Sequence, residues 1–378
     1  MQATDHRIAD AKSKGMAAIM QQLGLTGLRR MGGVEWVGPC PICGGNDRFG
    51  INTRKGQFLC RRCGNKGDVI GLVQFVMGMD FPAALDWICG ARQELSAEEI
   101  AKRALRDQEN KARKEKDAAT YRAKAIAEAR DIWSSGRSTD LGPVRDYLAL
   151  RGITEGLLPR LPPCLRYVAD LPYMVANPDQ SSNIRWIEAF RGPVMLAAVQ
   201  GQDDKLCAVH RTWFDLSQPH GKAQIVHPVT GDLMPRKKIW GAKKGGAIRL
   251  HQGAATSGTM VMGEGIETTL TALVADVWQG DHFWAGVDLG NMSGQRITGR
   301  GLKFAGIPDL EDADAFLPPR WVDRLIFVKD GDSDPRDTQA KLEAGLRRAM
   351  VARPGLKGQI AACPDGKDLN DILLGAGA

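Results

Sequence analysis

The sequence has no stretch approaching the ~20 consecutive apolar residues of a membrane span. Its first residues, Met1-Gln2-Ala3-Thr4-Asp5-His6-Arg7, lack the apolar core of a secretory signal, so a cytoplasmic protein with reduced thiols is expected. Gly-x-x-x-x-Gly-Lys-Ser/Thr occurs nowhere, which excludes a P-loop motor within these residues. The six histidines fall at no metal or triad spacing, and no serine or cysteine sits in a nucleophile motif. From Ala91 to Ser135 there is neither proline nor glycine, and Glu, Lys, Arg and Ala dominate, so a long solvated helix is expected there. At ~40 residues it would reach ~60 Å, enough to serve as a strut or as a tether between domains.

What is present points to two or three domains in 378 residues, with 43% hydrophobic residues to build their cores. A net charge of +7 favours a polyanionic partner. With thiols reduced, eight cysteines suggest a metal site plus buried singles rather than disulfides. Cys40-Pro41-Ile42-Cys43 and Cys60-Arg61-Arg62-Cys63 are separated by sixteen residues, and two such knuckles bring four thiolates within tetrahedral reach of one Zn²⁺. A closed four-cysteine site is structural: it folds a small ribbon. Arg48-Phe49-Gly50-Ile51 and Gln57-Phe58-Leu59 read as the strands of a hairpin, with Phe49 and Phe58 as its core. Arg48, Arg61 and Arg62, with Arg54, Lys55 and Lys66, are candidates for phosphate contact.

Beyond the charged helix, Gly142-Pro143 marks a boundary, and Val144 to Ile153 reads as a short helix with a glycine stop. Residues 187–250 read as β-rich, with Gly192–Val199 and Leu206–Phe214 joined in a hairpin at Gln202-Asp203-Asp204. A basic cluster follows: Arg236, Lys237, Lys238, Lys243, Lys244 and Arg249. The last third holds three short apolar strands that each run into acids. Met260-Val261-Met262 meets Gly263-Glu264-Gly265 and then a helix, with Ile266, Leu270, Leu273, Val274 and Val277 on one face. Leu325-Ile326-Phe327-Val328-Lys329 meets Asp330-Gly331-Asp332, and Gln359-Ile360-Ala361-Ala362 meets Cys363-Pro364-Asp365-Gly366-Lys367-Asp368-Leu369-Asn370-Asp371. In extended geometry Asp330 and Asp332 point the same way, and carboxylates crowded on one side suit Mg²⁺ or Mn²⁺.

These motifs carry a resemblance. Strand-Glu-Gly-helix, strand-Asp-x-Asp-helix and strand-Gly-Lys-Asp-x-Asn-Asp resemble the Toprim domain of primases, topoisomerases and some nucleases. Cys-Pro-x-Cys-Gly-Gly-x-Asp-Arg-Phe with Cys-x-x-Cys-Gly-x-x-Gly-Asp is similar to the zinc ribbon of phage and plasmid primases, and Tyr147-Leu148-x-x-Arg151-Gly152-Ile153 resembles a pattern in the same proteins. The resemblance implies an α+β multidomain chain: a helix in 1–30, a zinc ribbon in 31–90, a helical linker in 91–135, a core subdomain with a basic ridge in 136–255 and a Toprim domain in 256–378. It implies a DNA primase of mobile-element origin, making short RNA primers from ribonucleoside triphosphates on single-stranded DNA, with a replicative helicase in trans. Glu264 would be the general base or a ligand, and Asp330, Asp332 and Asp368 the magnesium or manganese ligands. Arg211 and Lys238 resemble the ridge's arginine and lysine, with Lys237, Lys243 and Lys244 beside them. The chain departs from the family pattern at Thr268, where many members are acidic, and Glu267 lies one residue earlier. Asp334, Asp365 and Asp371 leave the third ligand open. A Toprim nuclease and a non-catalytic DNA clamp are the alternatives.

Overall fold

The structure is a computed structural model and describes residues 5, 7–91, 97–139, 141–179, 181–254, 258–275, 278, 280–297, 299, 301–329, 334–363 and 369–375. The chain divides into two compact units, Met1–Lys111 and Ala112–Ala378.

The first unit opens with α1 (Arg7–Ser13) and α2 (Met16–Gln22). The helix expected in 1–30 forms as two because Gly15 takes φ +78°, a conformation that ends a right-handed helix. Five antiparallel strands follow in simple order: β1 (Arg29–Met31), β2 (Glu35–Cys40), β3 (Gly44–Asn52), β4 (Gln57–Cys60) and β5 (Lys66–Gly67). Alternation along β3 and β4 sends Phe49, Ile51, Phe58 and Cys60 inward, so Phe49 and Phe58 are core, as the sequence indicated. They meet α3 (Val69–Met77) and α4 (Phe81–Cys89) through Leu72, Val73 and Leu85. Asp68 caps α3 by accepting from the Ile70 and Gly71 N–H groups, and Asp80 caps α4 by accepting from Ala83 N–H. The proline- and glycine-free stretch forms α5 (Ala97–Ser135), 39 residues long.

In the second unit, α6 (Gly142–Ala149) precedes a four-stranded antiparallel sheet made of β6 (Leu165–Ala176), β7 (Trp186–Gln200) and β8 (Leu206–Trp213), with β9 (Ile225–Val226) and β10 (Leu233–Met234) forming a separate hairpin before β11 (Lys237–Gly241). The sheet order is β11-β8-β7-β6. A mixed sheet follows: β12 (Ile248–Gln252), β13 (Gly258–Gly263), α7 (Ile266–Ala275), β14 (His282–Ala285), α8 (Leu289–Ser293), β15 (Val322–Lys329), α9 (Pro335–Ala352), β16 (Lys357–Ala362) and α10 (Leu369–Gly375). Its order is β12-β14-β13-β15-β16, with the last four mutually parallel and β12 antiparallel to β14.

The apolar runs become strands buried on both faces, as helices packed on each side of a parallel sheet require. One face turns Met260, Met262, Leu325 and Phe327 toward Leu342 and Leu346 of α9. The other turns Val261, Ile326 and Val328 toward Ala272 of α7 and Ile372 of α10. Glycine is needed at 345, where a Cβ would stand 2.3 Å from the Met292 carbonyl oxygen, so α8 and α9 touch backbone to backbone. Among the described residues no single helix is long and apolar enough to cross a membrane.

Phe327 is fully buried in the middle of this sheet. Phe327→Ala is expected to cost about 3–5 kcal/mol in urea unfolding followed by circular dichroism, since the site cannot collapse onto neighbours held by two flanking strands.

Candidate metal centre and nucleic-acid interface

In the first unit the β2–β3 and β4–β5 turns carry the two cysteine knuckles. The sulfurs of Cys40, Cys43, Cys60 and Cys63 all lie within 4.8 Å of one another, with Cys40 to Cys63 at 3.9 Å and Cys43 to Cys60 at 3.6 Å. Bonds of ~2.3 Å to a tetrahedral zinc ion put sulfurs ~3.8 Å apart, so the donor set fits zinc in size and softness. Ile42 and Cys43 N–H groups point at Cys40 Sγ, and Cys63 N–H at Cys60 Sγ. Burial pushes the Cys60 thiol up, but the Cys63 and Arg62 N–H groups and the neighbouring thiols outweigh it and pull it to about 6. Burial raises Cys40, and the Cys43 thiol, then burial, raises Cys63, so one thiolate forms readily in the metal-free cluster.

Beside the knuckles the sheet is concave, enclosing about 850 Å³ lined by Trp36, Phe58, Leu59, Lys55, Arg61 and Lys66 among others. Leu59 is 45% exposed. Arg48 and Arg62 do not line this hollow; Arg48 lies across Gly45.

In the second unit the parallel strands bring acids to one edge. Register pairs Met262 with Phe327 and Lys329 with Ala362, so β13, β15 and β16 end side by side. Half-buried Glu264 follows β13 at that edge. Asp330, Asp332, Asp365 and Asp368, like Val277, lie outside the described residues. Sequence reasoning missed Asp288, just after β14, which caps α8 and pairs with Lys243. Val287 before it holds φ +74°, a strained value for a β-branched residue.

The basic candidates differ sharply in their partners. Lys238 and Arg211 are direct cross-strand neighbours on β11 and β8. Arg211 lies between the rings of Trp213 and Trp240, at 5.2 and 5.9 Å, and burial lowers it to about 10, still charged at neutral pH. Its buried Nε has no partner among the described residues. Lys238 sits 3.7 Å over the Tyr173 ring and donates to the Met174 carbonyl; burial, and then Arg211, lower its pKa. Lys237 instead forms a 2.7 Å ion pair with Glu267, and Lys244 lies 3.8 Å from Asp314.

Residues 37–70 match the family model of the zinc-binding domain of primase-helicase, and residues 123–250 match a domain of unknown function, DUF7146. The cysteine cluster is therefore that of a zinc-binding ribbon. A comparison with curated proteins finds no match. Among solved structures, the zinc-binding and RNA polymerase domains of the Aquifex aeolicus primase align at 13% identity and a TM-score of 0.36, covering 99% of this chain and 83% of that one. The primase fragment of the bacteriophage T7 primase-helicase protein aligns at 13% and 0.33, covering 91% and 96%. A DNA primase domain from Pseudomonas aeruginosa aligns at 12% and 0.38, covering 66% and 74%.

Two outcomes follow from this geometry. Cys60→Ser, or removal of zinc by a strong chelator, is expected to release the metal and open residues 37–70 to protease, read by zinc assay and peptide mapping. The second concerns His210, buried on β8 opposite Ile239 of β11, which burial and then Lys237 lower to about 4. Between pH 6.5 and 4 the unfolded chain binds the proton that the folded chain refuses, so stability falls as pH drops through this window, by on the order of 3 kcal/mol. His210→Gln is expected to flatten that slope in urea titrations between pH 4 and 7.

Proposed function

We propose that this chain is a DNA primase, condensing ribonucleoside triphosphates into short primers on single-stranded DNA. The observation that carries the reading is the match of residues 37–70, four-cysteine cluster included, to the zinc-binding domain of primase-helicases. The edge where β13, β15 and β16 end together supports it, because the sequence places Glu264 and Asp330-Gly331-Asp332 directly after β13 and β15, and Asp368 six residues after β16. In this reading the last third is a Toprim domain. Asp330, Asp332 and Asp368 are the ligands of magnesium or manganese, which when bound polarises a phosphate and makes a 3′-hydroxyl more acidic.

The chain's own side chains then divide the work. Glu264 takes the hydroxyl proton or serves as a further ligand. Arg211 and Lys238 hold phosphates of template or triphosphate, since both are cations penalised by burial and stacked on aromatic rings, with no ion pair to an acid among the described residues. In the zinc ribbon, Lys55, Arg61 and Lys66 track the template backbone while Trp36 and Leu59 offer base-sized apolar surface. The 39-residue α5 tethers ribbon to catalytic core. A replicative helicase acts in trans, and the origin is a mobile element.

The test is a primer assay with labelled triphosphates, Mg²⁺ and single-stranded DNA. Glu264→Ala and Asp330→Ala are each expected to lose about 10²-fold or more of synthesis while retaining DNA binding. Arg211→Ala and Lys238→Ala are expected to weaken DNA binding and each reduce its salt slope by about 1. Cleavage of DNA without triphosphates would favour a nuclease instead, and binding without synthesis under any condition would favour a clamp.

A further inference from the structure

Beneath the acidic edge lies a carboxylate that the primase reading does not use. Glu267, on the first turn of α7, is 4% exposed. Both of its oxygens are taken. The Tyr147 hydroxyl donates to Oε1 at 2.6 Å, and Lys237 Nζ donates to Oε2 at 2.7 Å. Burial would push this carboxyl up, yet the ammonium and the phenol outweigh it and hold it ionised, well below the usual carboxylate range. Tyr147 is wholly buried, and its pKa is raised by burial and by the carboxylate, so it stays protonated and keeps donating.

Lys237 reaches this pair from the other sheet. Neighbouring residues on a strand face opposite ways, so Lys238 shares a face with Arg211 while Lys237 turns toward α7. Its ammonium also stands at the turn after β13: an ideal Cβ on Gly265 would be 3.8 Å from Lys237 Nζ and 3.7 Å from Glu267 Oε2. The Lys237 side chain is 34% exposed. An ammonium has three N–H donors, and one acceptor, Glu267, is recorded for it among the described residues. His210, buried beside it, is held neutral and adds no competing charge.

We propose that Glu267 is a positioning residue: backed by Tyr147, it holds the Lys237 ammonium against the Glu264–Gly265 turn, where the remaining donors meet a phosphate oxygen of the incoming nucleotide. Glu267 thereby belongs to the lysine rather than to the metal ligands. The inference rests on reading that edge as a phosphoryl-transfer site. An unanchored lysine would spread over many rotamers in water; tied to a buried carboxylate it meets the nucleotide in one place.

The test uses the full chain with Glu267→Gln, Tyr147→Phe and Lys237→Met, and the double variant Lys237→Met/Glu267→Met. In the double variant two apolar side chains replace the buried pair, so folding is retained. Two readouts are taken. The first is the rate at which acetic anhydride labels Lys237, read by peptide mass spectrometry, which is independent of synthesis. The expected result is a several-fold faster rate in Glu267→Gln and a smaller rise in Tyr147→Phe. The second is the KM for triphosphate in primer synthesis, expected to rise about tenfold in Glu267→Gln and in Lys237→Met, with no further rise in the double variant. Unchanged labelling in Glu267→Gln overturns the anchor, as does a fall in melting temperature and kcat with KM untouched. A wild-type chain that primes normally with unshifted labelling in the variants removes the anchor and leaves the primase reading. A wild-type chain that makes no primer removes that reading, and with it the nucleotide's place beside Lys237, even where labelling shifts.

Discussion

A carboxylate cut off from water must be met by a cation and by enough hydrogen bonds to replace its hydration, or it does not stay charged. Glu267 meets that demand from three directions at once: its own helix, Tyr147 on α6 and Lys237 on β11. The antiparallel sheet and the mixed sheet are thereby joined by a contact with one satisfactory geometry. Apolar packing around it, from Tyr147 and Phe214 to Ile266 and Leu270, is less particular about angle. The ion pair adds direction where packing alone adds cohesion. Losing one partner would leave a buried charge unmatched, which is far costlier than losing both.

The parts legible in the sequence are those where one residue type has one physical solution. Four cysteines at two knuckle spacings have to converge, and they do, within 4.8 Å. Apolar runs such as Leu325–Val328, too short for a buried helix, become strands covered on both faces. A stretch with no proline or glycine has nothing to interrupt it, and α5 runs 39 residues. The break between α1 and α2 was less legible, because the glycine at position 15 permits an interruption without requiring one. Glu267 was hidden for a different reason. It sits among Ile266, Leu270 and Leu273, and periodicity marks that face as core but says nothing of how an acid within it is satisfied. The informative signal was the mismatch itself: a lone acid on the buried face of a short apolar helix needs a cation from elsewhere in the chain.

The basic cluster shows where counting charges runs out. Lys237, Lys238, Lys243 and Lys244 look alike in sequence, yet Lys243 pairs with Asp288, Lys244 lies near Asp314 and Lys237 holds Glu267. Their positive charge is largely spent inside the molecule. Strand parity decides between the two adjacent lysines. An even step along β11 keeps a side chain on one face and an odd step reverses it, so Lys237 and Lys238 face different layers of the unit.

Lys238 and Arg211 therefore carry a burden the others do not. Burial disfavours both charges, they repel each other across the strand pair, and their recorded contacts are aromatic faces and a carbonyl, none of which carries a full negative charge. Two partly desolvated, mutually repelling cations lower the stability of the free protein relative to neutral residues in the same places. An anion between them would relieve the repulsion and offset part of the desolvation, which is the physical ground for the phosphate-binding role proposed for this pair. The paired lysines have no such reserve, because their electrostatic gain is already realised when the chain folds. Along β8 and β11 the two kinds of cation therefore differ: Arg211 and Lys238 keep charge that no recorded acid balances, whereas Lys237 has its charge matched by Glu267 and gains from that pair a fixed direction for its remaining donors.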